Sequence, residues 1–133
     1  MADYIATTDI RDKVIATFTD LAGYVTESTN FMNDFTASKG LETTDIETDP
    51  LHYRVKEMLI YFAQMRASED RIGLQANVAI RAQSQPVDMY QQKYDRYREE
   101  FERLRDSVTE EMIKGIADTP AEYTNMSIRL DRG

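Results

Sequence analysis

The sequence predicts an all-α protein. The fold expected is a small bundle of about four to five helices over residues 1–117, followed by an extended C-terminal tail over 118–133 that can include a short β segment. Three observations carry this. Apolar residues recur at steps of three and four over three long stretches, the mark of helices with one buried face. Only five glycines and three prolines interrupt 133 residues. After Pro120 the pattern changes to period two, with Met126, Ile128 and Leu130 alternating with Ser127, Arg129 and Asp131.

The first stripe runs Ile10, Val14, Phe18, Leu21 and Val25, with Thr8 or Asp9 able to cap its start. Gly23 can split it, because glycine is costly inside a helix. Phe31, Met32 and Phe35 continue an apolar face, and Gly40 is a C-terminal stop. Leu41 to Asp49 is polar and reads as a loop. Asp49 and Pro50 then restart the chain, as a cap residue and a proline at the first helical position. The central helix carries Leu51, Val55, Met58, Leu59, Phe62 and Met65, and either runs past Gly73 or breaks near Ser68. Pro86 breaks the chain again. From Val87 a long amphipathic helix presents Tyr90, Tyr94, Tyr97, Phe101, Leu104 and Val108, with charge on its other face. Glu99 and Arg103 there form an acid-before-base pair at i, i+4. Thr109 caps a short helix, Glu110 to Lys114, that Gly115 ends. No internal repeat or low-complexity segment stands out.

Composition narrows the function. Cysteine is absent, which removes disulfides, thiolate metal sites and cysteine nucleophiles together. Twenty-four acidic residues against 16 basic ones give a net charge of −8, which repels nucleic-acid backbones. Met1 to Asp12 lacks the regions of a signal peptide, and the longest apolar run, Met58 to Ala63, is far too short to span a bilayer. Synthesis and retention in a cytoplasm, with no membrane partner, are expected.

No chemistry-bearing constellation emerges. The one histidine, His52, has no cysteine to share a zinc, and a surface or packing role is the default. Asp45, Glu47 and Asp49 alternate as in a calcium loop, but Pro50 stands where that loop needs glycine. Neither a glycine-rich phosphate loop nor a nucleophile elbow is present. The carboxylate pairs Glu99–Glu100 and Glu110–Glu111 lie among lysines and arginines on polar helix faces. No catalytic residue, cofactor or metal is expected. Tyr90, Tyr94 and Tyr97 suit a core or a subunit contact, since tyrosine joins apolar area to a polar tip. A terminal alternating segment either frays or adds as a strand to another chain.

The segment Asp88-Met89-Tyr90-Gln91-Gln92-Lys93-Tyr94-Asp95-Arg96-Tyr97, continuing through Leu104 to Val108-Thr109-Glu110-Glu111-Met112-Ile113, resembles the head–tail adaptor proteins of tailed bacteriophages, also called head-completion or connector proteins. The resemblance covers most of the chain in order and length, best at Tyr90 to Ile113 and least between Gly40 and Pro50. Its motifs are soft, with no catalytic signature. It implies a short opening helix at Tyr4 to Asp12 and an extended segment at Thr124 to Gly133. It further implies a virion protein of the phage neck, forming a ring under the portal with the portal's twelve-fold symmetry. That ring would continue the DNA channel without specific DNA binding and receive a further neck or tail protein. The tail would meet the portal through Met126, Ile128 and Leu130, with Arg129 and Arg132 as charge contacts. Tyr90, Tyr94, Tyr97, Glu99 and Arg103 are candidates for the subunit interface. Other readings stay open: another phage neck, tail-completion or assembly protein, a small chaperone, a general helical interaction module, or a nucleotide-acting or hydrolytic helical enzyme.

Overall fold

The structure, a computed structural model, describes residues 3–82 and 87–115, and of 73–82, 87 and 88 the backbone alone. Its described part is all-α, as the periodicity predicts. It contains α1 (Leu21–Ser38), α2 (Tyr53–Ala82), α3 (Val87–Ser107) and α4 (Glu110–Lys114), with short 3-10 turns between them. The predicted strand pattern and the domain boundary after residue 117 lie outside the described residues.

α2 is the axis. Val55, Met58, Leu59, Ile60, Ala63 and Ala67 are buried along it, and the consecutive burial of Met58, Leu59 and Ile60 means that neighbours cover it on several sides. α3 returns along α2 and α1 packs against it. The three helices meet at an aromatic knot. Phe31 of α1 stacks on Phe62 of α2, centroids 4.9 Å apart, and meets Phe101 of α3 edge-on at 5.1 Å. Offset and edge contacts of this kind suit the ring quadrupoles. α2 is continuous through Ser68 and Gly73, so the break considered there does not occur.

The N-terminal stretch differs from expectation. The stripe from Ile10 is not a helix, and the opening helix at Tyr4 to Asp12 reduces to one 3-10 turn, Thr7–Asp9. A second turn spans Ile15–Thr17, and α1 begins only at Leu21. The register shifts accordingly: Ile15 is fully buried, whereas Val14 is 42% exposed. The cause is tertiary. The N–H groups of Arg11 and Asp12 donate to Gln64 Oε1 of α2 at 2.9 and 3.0 Å, so they are spent outside any local helix. Gly23 does not split α1, because it falls in the first turn.

The chain also uses one device twice. Thr7-Thr8-Asp9-Ile10 and Thr43-Thr44-Asp45-Ile46 are the same tetrad. In each, the aspartate side chain accepts the backbone N–H three residues back at 2.8 Å, from Ala6 or Glu42. Each turn delivers its isoleucine to the core, Ile10 and Ile46 both being buried. This short repeat is present in the sequence and corrects the expectation of none.

The restart at Asp49 and Pro50 is displaced too. That peptide bond is cis, and α2 starts at Tyr53. His52 does the capping, its Nδ1 accepting the Arg54 N–H at 3.1 Å. At the other end the expectation holds: Thr109 accepts the Met112 N–H through its side chain, and Gly115 closes α4 at φ +79°. The Glu47 N–H donates to the Ile113 carbonyl at 2.8 Å, which fastens the 42–49 loop to α4.

Two stability predictions follow from this packing. A Cβ at Gly115 would lie 2.5 Å from Glu47 Cγ, whereas one at Gly40, also at φ +79°, meets nothing within 4 Å. Gly40→Ala is expected to cost about 1 kcal/mol from the backbone alone, and Gly115→Ala about 2 kcal/mol or more. Denaturant unfolding of the two variants measures the difference. The second concerns Thr36, fully buried in α1, whose Oγ1 has no hydrogen-bond partner among the described residues. Thr36→Val removes that desolvated hydroxyl at nearly constant shape, with an expected gain of about 1 kcal/mol in the same assay.

Candidate functional site

The most developed polar constellation lies where the N-terminal segment crosses α2 and α3. Asp12 is at its centre, its side chain 4% exposed. One carboxylate oxygen accepts the N–H groups of Val14 and Ile15 at 3.0 and 3.1 Å. The other accepts from Lys93 Nζ at 2.7 Å and from the Tyr97 hydroxyl. Lys93 and Tyr97 are one turn apart on α3, so a single helix face supplies both donors. Next to them Gln64 receives the two backbone N–H groups described above. Arg11, on the same segment, pairs with Glu57 of α2. Arg96 donates to the Tyr97 hydroxyl at 3.1 Å. Between these groups lies a cavity of about 260 Å³, lined by Arg11, Asp12, Tyr61, Gln64, Arg96 and Tyr97.

The charges follow from these contacts. Burial by itself would raise the Asp12 pKa. The hydrogen bonds from Lys93, Tyr97 and the Ile15 N–H, together with the Lys93 charge, outweigh it and hold the carboxyl below the usual carboxylate range. The Tyr97 hydroxyl is pushed up to about 12, first by burial and then by its bond to Asp12, with Arg96 pulling the other way. Asp12 is therefore the anion and Tyr97 a neutral donor at neutral pH.

A second polar seam joins α1 to α2. Arg66 Nε donates to Glu27 at 2.8 Å, and its guanidinium also pairs with Glu69. The Tyr24 hydroxyl donates to Asp70 at 2.7 Å, with Asp20 3.2 Å away. Burial, followed by the Asp70 bond, pushes Tyr24 well above the ordinary tyrosine value. Both contacts bind helix to helix.

The residues singled out from sequence are dispersed. Tyr90 and Tyr97 are 8% and 4% exposed and spend their rings inside the subunit, Tyr90 near Phe18 and Tyr97 near Tyr61. Tyr94 is half-buried, under the Arg98 guanidinium. Glu99 is exposed, and Arg103 bonds Glu100 at 2.5 Å, so the i, i+3 acid replaces the expected i, i+4 partner. Both acids lie within reach of the same helix surface. Asp45 and Glu47 serve as local backbone acceptors, for the N–H groups of Glu42 and Asp49. Among the described residues no group of three potential ligands is placed to hold a metal, and no helix is long and apolar enough to cross a membrane. Met126, Ile128, Arg129, Leu130 and Arg132 lie outside the described residues.

The sequence reading missed Asp12, Gln64 and Tyr61, and gave Lys93 no role of its own. A signal existed for Lys93. The buried line on α3 runs Tyr90, Tyr97, Phe101, Leu104, and Lys93, one turn before Tyr97, lies along it with its side chain only 19% exposed. A lysine on a core line needs an acid beside it.

Asp12 carries the pH prediction. A carboxyl whose folded pKa is depressed adds stability that is complete above its unfolded value, roughly 3.9, and is lost as pH falls through the folded value. Asp12→Asn is expected to cost about 2–4 kcal/mol at neutral pH, since Lys93 loses its counter-charge. The variant should also lose less stability than the parent between about pH 4 and pH 2. Urea unfolding across that range is the measurement, and an unchanged acid decline would assign it to other carboxylates.

No protein-family model, curated protein or solved structure matches the chain.

Proposed function

We propose that the chain is a structural protein of a tailed-phage neck. In this reading it is made in the host cytoplasm and forms a homo-oligomeric ring, twelve-fold like the portal, beneath the portal in the virion. The ring joins capsid to tail, continues the DNA channel and receives a further neck or tail protein. Its work is mechanical and not catalytic. The observation that carries the reading is the α3–α4 unit. A 21-residue helix leads at once into a threonine-capped helix of five residues closed by a left-handed glycine. It falls on Tyr90 to Ile113, the stretch where the resemblance is best.

Each part takes the role that its chemistry suits. Met126, Ile128 and Leu130 alternate with polar residues, as a segment does when it adds to a partner's sheet edge or groove. Arg129 and Arg132 supply charge contacts to the portal. Tyr94, Glu99 and Arg103 have surface left for a neighbouring subunit, whereas Tyr90 and Tyr97 act by holding α3 in place. An acidic wall suits a conduit, because like charge does not retain the duplex.

The test is binding to isolated phage portal rings, with size analysis, comparing the full chain with one ending at Pro120. Ring-stoichiometric binding by the full chain, lost on truncation, is the expected result. Absence of binding by the full chain to every portal tried would favour a helical interaction module or another assembly role.

A further inference from the structure

The cavity beside Asp12 has chemistry that the packing of the chain leaves unused. Gln64 is 2% exposed, and its carboxamide orientation is fixed by contacts. Two backbone N–H groups converge on one end, so that end is the oxygen and the NH2 is on the other side. That NH2 has no acceptor among the described residues, and the side chain lines the cavity. Unlike the buried Thr36 hydroxyl it is not sealed from solvent, so it is a double donor at an accessible cavity wall, free for an acceptor that displaces water.

The surrounding charges set what that something is. Lys93 balances Asp12, and Glu57 balances Arg11. Arg96 has no carboxylate partner among the described residues; its guanidinium donates to the Tyr97 hydroxyl and lies over the Tyr97 ring. The site therefore holds one uncompensated positive charge. It suits a monoanionic group better than a phosphate dianion, which Asp12 in the wall would repel. Tyr61 and Tyr97, with ring centroids 5.9 Å apart, supply apolar wall. A volume of about 260 Å³ admits a carboxylate and a few methylene groups.

We propose that this cavity binds a single carboxylate carried on a short apolar stem, with the Gln64 NH2 and the Arg96 guanidinium as its donors and Tyr61 and Tyr97 flanking the stem. A planar carboxylate has lone pairs for both donors, and guanidinium–carboxylate bonds are charge-assisted. Such a group comes from a free small acid or from a glutamate side chain of another protein. The site stands whether or not the chain belongs to a phage neck.

The experiment is an NMR titration of the full chain, following the Gln64 side-chain NH2. The probes are butyrate, acetyl-glutamate-amide and the neutral acetyl-glutamine-amide. Arg96→Gln is the companion variant, at an exposed position, with its fold checked by circular dichroism. A saturable shift with the carboxylates and none with the neutral amide is expected. Affinity should fall about tenfold or more in Arg96→Gln. Tighter binding of butyrate would identify a free acid as the ligand, and tighter binding of the peptide analogue a side chain. No saturable shift up to roughly 50 mM carboxylate would overturn the proposal and leave the cavity to water. So would an equal response to the neutral amide, or undiminished affinity in Arg96→Gln.

Discussion

A buried chain segment without regular structure has to place its backbone N–H groups somewhere, and Gln64 is where this one places them. Residues 3–20 lie against the bundle with Ile5, Ile10 and Ile15 buried, yet their local backbone bonds amount to two short 3-10 turns and the bond from the Ala16 N–H to the Asp12 carbonyl. Unpaired N–H groups at such depth would each cost on the order of 1–3 kcal/mol, enough to erase the gain from a buried isoleucine. Gln64 Oε1 takes two of them and Asp12 takes two more. The apolar pegs can then be seated without a helix to carry them.

The same solution orders the helices. Asp12 accepts from the segment's own backbone with one oxygen and from α3 with the other, so folding the segment also fixes where α3 lies along α2. Lys93 and Tyr97 reach it only in one register of α3, and in that register Phe101 meets Phe31 and Phe62. The aromatic contacts tolerate some sliding, since several offset and edge geometries of a ring pair are close in energy. A buried ion pair does not, because a misplaced partner leaves an uncompensated charge. The polar node thus selects the register and the aromatic knot supplies buried area.

Much of this architecture was legible from local pattern. The short-range signals at Thr109, Gly115 and Gly40 operate through one turn of backbone and came through unchanged. The long helices were legible as helices from a buried face repeated over 18 residues or more, although the first was begun too early and a break near Ser68 in the second was left open. The stretch Ile10 to Phe18 misled for the opposite reason. Its spacing fits a helix, and only the distant Gln64 makes another conformation better. The Asp49–Pro50 pair misled in the same way, its cap signal being sound but superseded by His52 three residues on. The paired Thr-Thr-Asp-Ile turns were readable throughout. A tetrad is too short to register as a repeat until its shared work, delivering one isoleucine to the core, is seen.

The candidate site was half legible, and the half that was hidden has a physical cause. Lys93 stands on the apolar line of α3, and Gln64 lies between the buried Ile60 and Ala67 of α2. Polar side chains at such positions are expensive unless partnered, so each announces a buried contact from sequence alone. What they cannot announce is the partner. Twenty-four acids are available to one lysine, and every backbone N–H in the chain to one glutamine. Only closure of the N-terminal segment over both helices brings Asp12 to Lys93, 81 residues away, and Arg11 to Gln64, 53 residues away. Once that closure exists, the leftover donor is determined as well. An amide whose oxygen is held by two N–H groups keeps its NH2 on the opposite side, so the way the N-terminal segment is held also sets which donor Gln64 has left.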